Sequence, residues 1–264
     1  MKSPSLAIDE PLLRAVEEIA ERAGAVILDH YSRDIAVARK ADASPVTEAD
    51  EAAERAILPA LQALTPHILV VSEEAVAKGQ APNPAAVAGA GRFWLVDPLD
   101  GTREYINRNG EFTVNIALIE AGRPVLGVVH LPALAATYGG IAGGFAEMTR
   151  AGQRRRIAAR KVPRDGAIVL SSRSHGDDSA MKSFLGETKV ESWRVAGSAL
   201  KFCQVAEGIA DLYPRLGRTM EWDTAAGHAV VLGAGGSVTQ LDGGELLYGN
   251  KNYENPHFVA RGAA

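Results

Sequence analysis

A single cysteine, Cys203, stands among 264 residues. That excludes an internal disulfide and a thiolate metal cluster, and it suits a reducing compartment. The opening Met1-Lys2-Ser3-Pro4 lacks the apolar core of a signal peptide. No run approaches the roughly eighteen apolar residues of a membrane span, so no transmembrane helix is expected. A surplus of one charge is lacking too. The formal net charge is -4 and the pI about 5.9, which makes a nucleic-acid polymer a poor partner. Repeats and low-complexity tracts are absent from the sequence. What is present, 47% hydrophobic and 23% charged residues, supplies core for one large globular unit or two packed subdomains.

The chain is organised around Arg92 to Asn107, R-F-W-L-V-D-P-L-D-G-T-R-E-Y-I-N. Phe93 to Val96 predicts a buried strand. Pro98 fixes its own φ and denies a donor, so the strand is expected to stop there. Gly101 permits a tight turn, and a short helix is expected from Thr102. Asp97 and Asp100 at a strand end are costly if unpaired. Either they cap a turn, or they hold hard divalent cations, which favour oxygen ligands.

Ahead of this stretch, Asp9-Glu10-Pro11 opens a helix whose apolar face is Leu12, Val16, Ile19, Ala20, Ala23 and Ile27. Thr47 and Asp50 have the spacing of a capping box for a helix reaching about Leu64. Asp50 serves either as that cap alone or also faces a cleft. Ile68 to Val71 is a short strand followed by Glu73-Glu74, and residues 75–91 read as a loose surface connection. Phe112 to Ile119 and Val125 to Leu131 form a hairpin, and glycines at 139, 140, 143 and 144 punctuate another strand pair. Arg150 to Lys161 carries six basic residues. This reads as a solvated hairpin face, with a phosphate or membrane-surface contact as the alternative.

From about residue 165 the pattern turns to strand–helix alternation, an α/β signature. The expected division is 1–165, an α+β part, and 166–264, an α/β part. Strands are expected at Ala167 to Leu170, Lys189 to Val195 and Ile209 to Tyr213, with helices near Asp177 to Leu185 and after Gly197-Ser198. Asp223 is placed as the N-cap of an apolar helix running to Leu232 and stopped by Gly233-Ala234-Gly235-Gly236, with His228 within it as a packed or surface histidine rather than a ligand.

Glu73, Asp97, Asp100 and Asp223 thus stand at strand ends and a helix start, which converge on one cleft in α/β folds. Four such acids repel one another without cations. Mg²⁺ takes carboxylate oxygens and also engages phosphate, so the constellation points to phosphoryl transfer. Backbone N–H groups of Gly101 and Thr102 are candidates for receiving the phosphate.

Asp97-Pro98-Leu99-Asp100-Gly101-Thr102, with Trp222-Asp223-Thr224-Ala225-Ala226 downstream and Glu73-Glu74 upstream, resembles the signature of the inositol monophosphatase superfamily, Mg²⁺-dependent and lithium-sensitive phosphatases. The resemblance implies a layered α/β/α/β/α sandwich. It implies one metal on Glu73, Asp97 and the Leu99 carbonyl, a second on Asp97, Asp100 and Asp223, and a third, weaker ion leaning on Glu73. Asp50 and Thr102 would orient the attacking water. Glu111 to Leu118, Ser171 to His175, Gly197-Ser198 with Lys201-Phe202-Cys203, Tyr213-Pro214-Arg215 and Asn255-Pro256 are similar to the 3'(2'),5'-bisphosphate nucleotidases. These remove the 3'-phosphate of adenosine 3',5'-bisphosphate and so serve sulfur assimilation. By that resemblance His175, Ser198, Lys201 and Arg215 contact the nucleotide and its second phosphate. The inositol branch has a Glu seven positions before the W-D aspartate. Leu216 stands there instead and cannot accept a hydroxyl hydrogen bond. The alternatives are an inositol or sugar phosphatase and, in another class, a catalytically silent metal and nucleotide binder. The implied location is the cytoplasm, with peripheral attachment at the inner membrane face as the alternative. The implied state is monomer or homodimer.

Overall fold

The computed structural model describes residues 6–32, 37–39, 45–172 and 178–264. Helix α1 (Glu10–Tyr31) is capped by Asp9 and buries the apolar face anticipated from its spacing. An antiparallel pair, β1 (Val37–Arg39) and β2 (Pro45–Thr47), leads to α2 (Glu48–Leu64), which opens with the Thr47/Asp50 capping box. Then follow β3 (Leu69–Ser72), α3 (Glu73–Ala77), α4 (Pro84–Ala90), β4 (Arg92–Asp100), α5 (Thr102–Ile106), β5 (Thr113–Glu120), β6 (Arg123–Leu131), β7 (Ala136–Ile141), β8 (Phe145–Arg150) and β9 (Gln153–Ile157). The remainder is β10 (Ala167–Ser171), α6 (Asp178–Leu185), β11 (Val190–Val195), α7 (Leu200–Ala206), β12 (Leu212–Arg215), α8 (Glu221–Gly233), β13 (Ser237–Gln240) and β14 (Phe258–Arg261).

Seven strands pair in the order β3-β4-β5-β6-β7-β8-β9 and five in the order β11-β10-β12-β14-β13. Strand β4 is apolar without alternation because both faces of its sheet are covered. Trp94 and Val96 pack with α1 and α2, whereas Phe93 and Leu95 pack toward Phe202, Trp222, Ala226 and Val230 of α7 and α8. Across that middle layer lie Leu170, Tyr213 and Phe258 of the second sheet, whose outer face meets Leu185 of α6. The result is an α/β protein layered α/β/α/β/α. Helix α8 is buried almost all round from Glu221 to Val231, as a helix between two sheets must be. It lies so close to the first sheet that a Cβ on Gly127 or Gly140 would meet α8 backbone.

Three expectations are corrected. Strand β4 does not stop at Pro98. Its pairing with β5 skips from Asp97↔Asn115 to Asp100↔Thr113, and Pro98 sits in that bulge, where no ladder donor is required. Residues 75–91 are not merely a loose connection. They hold the end of α3 and all of α4, where Asn83 caps and Pro84 occupies the first helical position. Residues 209–211 are not part of the strand, which starts at Leu212.

The basic stretch is exposed but engaged within the molecule. Arg154 reaches Glu17 and Glu147, Arg155 reaches Glu207, and Arg160 grips Asp211. Arg156 lies over the Phe145 ring, and Arg150 donates to the Tyr138 hydroxyl. Four of its arginines, Arg154, Arg155, Arg156 and Arg160, are thus paired with acids of the same chain. No described helix is long and apolar enough to cross a membrane.

Candidate active site

The register of the first sheet sets the site. Strands β3 and β4 run parallel with Ser72 opposite Val96, so the next residues, Glu73 and Asp97, emerge side by side. The Glu54 carboxylate accepts from Ser72 Oγ and from Ala75 N, which fixes the turn that carries Glu73. Beyond Asp97, the bulge brings Asp100 round to face β5. There its Oδ2 lies 3.4 Å from both Thr113 Oγ1 and Asn115 Nδ2. Asp97 is 1% exposed, and its Oδ1 accepts from Leu99 N at 3.0 Å.

Asp223 comes from the far half of the chain. It is not the N-cap, which is Met220. It is the third residue of α8, and its Oδ2 reaches back to accept from Met220 N at 2.9 Å. This places its carboxylate with those of Asp97 and Asp100, one oxygen of each lying within 4.8 Å of the others. Glu73 shares the cleft.

The electrostatics follow from that crowding. Burial pushes the Asp100 carboxyl up to about 6, while nearby Lys201 opposes the rise and Glu104 and Glu73 reinforce it. Asp223 is pushed up to about 8, first by burial and then by Asp100 and Glu73. The two acids titrate as an interacting pair. Acids buried and crowded this closely form a donor set short of positive charge. Its all-oxygen chemistry fits a hard divalent cation.

Asp50 is 1% exposed. Its Oδ2 accepts from Thr47 N and Thr47 Oγ1 at 2.8 and 2.7 Å, and its Oδ1 lies 3.4 Å from Thr102 Oγ1. Asp50 is thus both a cap and a neighbour of the cleft-lining Thr102. Gly101, at φ 86°, makes the turn between Asp100 and Thr102. A Cβ there would collide with Ser198 Oγ.

A cleft of about 230 Å³ is lined by Glu73, Asp100, Gly101, Thr102 and Asp223 together with Ser198, Lys201 and Arg215, while the buried Asp97 and Asp50 lie behind that lining. Ser198 Oγ donates to the Asp100 carbonyl at 3.0 Å. The buried Lys201 ammonium donates to the carbonyls of Ser198 (2.7 Å) and Ala196 (3.2 Å). Burial lowers its pKa to about 8, with Asp100 opposing the fall. Arg215 donates to Ser172 Oγ and the Arg218 carbonyl, both at 2.7 Å. His175 lies outside the described residues. Leu216 does not line the cleft. His228 is buried, with Nδ1 2.9 Å from the Tyr248 hydroxyl, and is no ligand candidate.

Sequence reasoning missed Arg103, Glu104, Thr219 and Thr224, which also line the cleft. The first two immediately follow Thr102, and Thr224 follows Asp223, so adjacency to the motifs was the available signal.

The profile of the inositol monophosphatase family matches residues 8–262, and the chain belongs to that family. Among curated relatives it is similar to the 3'(2'),5'-bisphosphate nucleotidase CysQ of Salmonella typhimurium, 47% identical over 252 residues, or 94% of this chain and 98% of that one. It is 44% identical over 250 residues to the Escherichia coli K12 protein of the same name, covering 94% and 98%. Among solved structures, CysQ from Bacteroides thetaiotaomicron superposes with a TM-score of 0.83 at 35% identity, covering 97% and 99%. An inositol monophosphatase from Zymomonas mobilis gives 0.77 at 27%, covering 98% and 95%.

Proposed function

We propose that the protein is a Mg²⁺-dependent 3'(2'),5'-bisphosphate nucleotidase that removes the 3'-phosphate of adenosine 3',5'-bisphosphate, leaving AMP and phosphate. The observation that carries this reading is the Asp97, Asp100 and Asp223 cluster, two of whose members, Asp100 and Asp223, line a cleft that Lys201 and Arg215 also line. The curated nucleotidases cover nearly the whole chain.

Glu73, Asp97 and the Leu99 carbonyl would hold one Mg²⁺, Asp97, Asp100 and Asp223 a second, and Glu73 would also serve a weaker third. Bound there, Mg²⁺ would make a water more acidic and offset phosphate charge. Thr102 Oγ1, held against Asp50 Oδ1, would orient that water, with Asp50 as the proton acceptor behind it. The N–H groups of Gly101 and Thr102 would bind phosphate oxygens. Ser198, Arg215 and the third N–H of Lys201 would receive the nucleotide and its 5'-phosphate, with His175 as a further contact. Leu216 offers no acceptor for an inositol hydroxyl. A cytoplasmic enzyme, monomeric or homodimeric, built of parts 1–165 and 166–264, completes the proposal.

The test is phosphate release from adenosine 3',5'-bisphosphate and inositol 1-phosphate, side by side, with and without Mg²⁺. Strong Mg²⁺-dependent preference for the nucleotide is expected. Preference for inositol phosphate would overturn the substrate assignment. Nucleotide binding without phosphate release would overturn the enzymatic one.

A further inference from the structure

The segment between β13 and β14 is seventeen residues long without a strand or helix of its own, a length at which a loop usually has a task. Its part from Tyr248 to Asn255 straps the first turn of α8. Glu221, wholly buried, accepts from Gly249 N and Asn250 N at 2.8 Å each. Glu221 N donates to Tyr253 O at 2.7 Å, and the Trp222 and Tyr253 rings pack at 5.8 Å.

Asn255 is the most informative part of this strap. It is 7% exposed and holds both peptide groups that flank Met220. Its backbone N–H donates to Thr219 O at 3.0 Å. That carbonyl belongs to the same peptide plane as Met220 N, the donor to Asp223 Oδ2. Its side-chain Nδ2 donates to Met220 O at 2.7 Å and to Thr224 Oγ1 at 3.0 Å. A carbonyl can only accept, so the contact with Met220 fixes which end of the amide is the nitrogen. The peptide on the other side of Met220 is held as well, because its N–H is the Glu221 N bound to Tyr253 O. Rotation of either plane would turn Met220 N away from Asp223. Thr219 and Thr224, which Asn255 also holds in place, both line the cleft.

We infer that Asn255 is a positioning residue for the Asp223 carboxylate, acting through the Met220 peptides to keep one oxygen bound to Met220 N and the other free for metal. The inference rests on the reading of Asp223 as a metal ligand. Removing a group bonded directly to a metal ligand typically changes affinity about 10- to 100-fold, and Asn255, one hydrogen bond behind Met220 N, is set at the lower end of that range.

The test measures binding of Mg²⁺ alone, by calorimetry on metal-stripped full-length protein, together with the Mg²⁺ concentration for half-maximal turnover. Asn255→Ala is expected to weaken Mg²⁺ about ten-fold or more, leaving KM for the nucleotide at saturating Mg²⁺ near the parent value. Asn255→Ser, which keeps one short donor, is expected to fall between and serves if Asn255→Ala does not fold. Val230→Ala, further along α8, should lower Tm with no effect on Mg²⁺ affinity. Parent-like Mg²⁺ affinity in the Asn255 variants, with only Tm reduced, overturns the inference. Asp223→Asn separates the two levels. If it removes one Mg²⁺ site while the Asn255 variants keep that site at the parent affinity, only the positioning role fails. If it too binds normally, the metal assignment fails and the positioning role with it.

Discussion

Asp223→Asn should make the metal-free protein more stable while destroying its activity. Three carboxylates with oxygens within 4.8 Å of one another repel by about 3.5 kcal/mol per ionised pair at an effective dielectric near 20. The cleft admits water, so half of one pair, about 2 kcal/mol, is the relief to expect. At roughly 2–4 °C per kcal/mol for a chain approaching this size, Tm should rise by about 5 °C. Asparagine keeps an oxygen for Met220 N, so the bond that holds the helix start survives.

The gain must depend on pH in one direction. Asp223 has its folded value raised to about 8 from 3.8, so the folded state binds the extra proton and the penalty grows with pH. Below about pH 4 both states are protonated and the substitution offers nothing. The gain builds between pH 4 and 8 and is complete above 8. Thermal melts in EDTA at pH 4.5, 6.5 and 8.5 measure it. With Mg²⁺ the order reverses, because the parent gains binding energy that the variant has lost. A variant less stable than the parent in EDTA at pH 8.5, or a gain equal at all three pH values, would refute the repulsion argument.

Other substitutions probe the supports of the site. Gly101→Ala must place a side chain at φ 86° against Ser198. It should cost about 2 kcal/mol or more in denaturant melts, and displacement of Thr102 should lower kcat by about 10²-fold. Lys201→Met leaves the Ala196 and Ser198 carbonyls without their donor. KM for the nucleotide should rise about ten-fold. Because Lys201 restrains the Asp100 carboxyl, the metal-free variant should hold its Asp100 proton to higher pH, read by NMR titration in EDTA. Asp211→Asn breaks the two-bonded contact with Arg160 and weakens acceptance from Ile168 N. Tm should fall by several degrees, a cost of about 3 kcal/mol, with Mg²⁺ affinity unchanged in calorimetry.

How legible each part was depends on the range of the interaction that fixes it. The face of α1 and the Thr47/Asp50 box are set within one or two turns, so spacing revealed them. The stop assigned to Pro98 was wrong because the local rule was right and incomplete. Proline does lack a donor, but only the partner strand shows that Asp97↔Asn115 and Asp100↔Thr113 leave an extra residue between them, where no donor is wanted. The same bulge turns Asp100 toward Asn115, so the departure from regular pairing is what makes the pair of acids usable.

Asp223 poses the harder case. Its sequence neighbourhood says helix start, and both the N-cap and the third position are rational places for an aspartate. The choice between them falls to Asn255, thirty-two residues on, because the peptide it grips is the one that donates to Asp223. An amide working through another residue's backbone obeys no periodicity and needs no particular side chain at Met220. Its trace in the sequence is Asn255-Pro256, which local chemistry reads as a turn and which only the resemblance to the nucleotidases singled out, without a role. If Asn255→Ala shifts Mg²⁺ affinity while Val230→Ala does not, the helix start was specified from the end of the chain rather than by its own first turn.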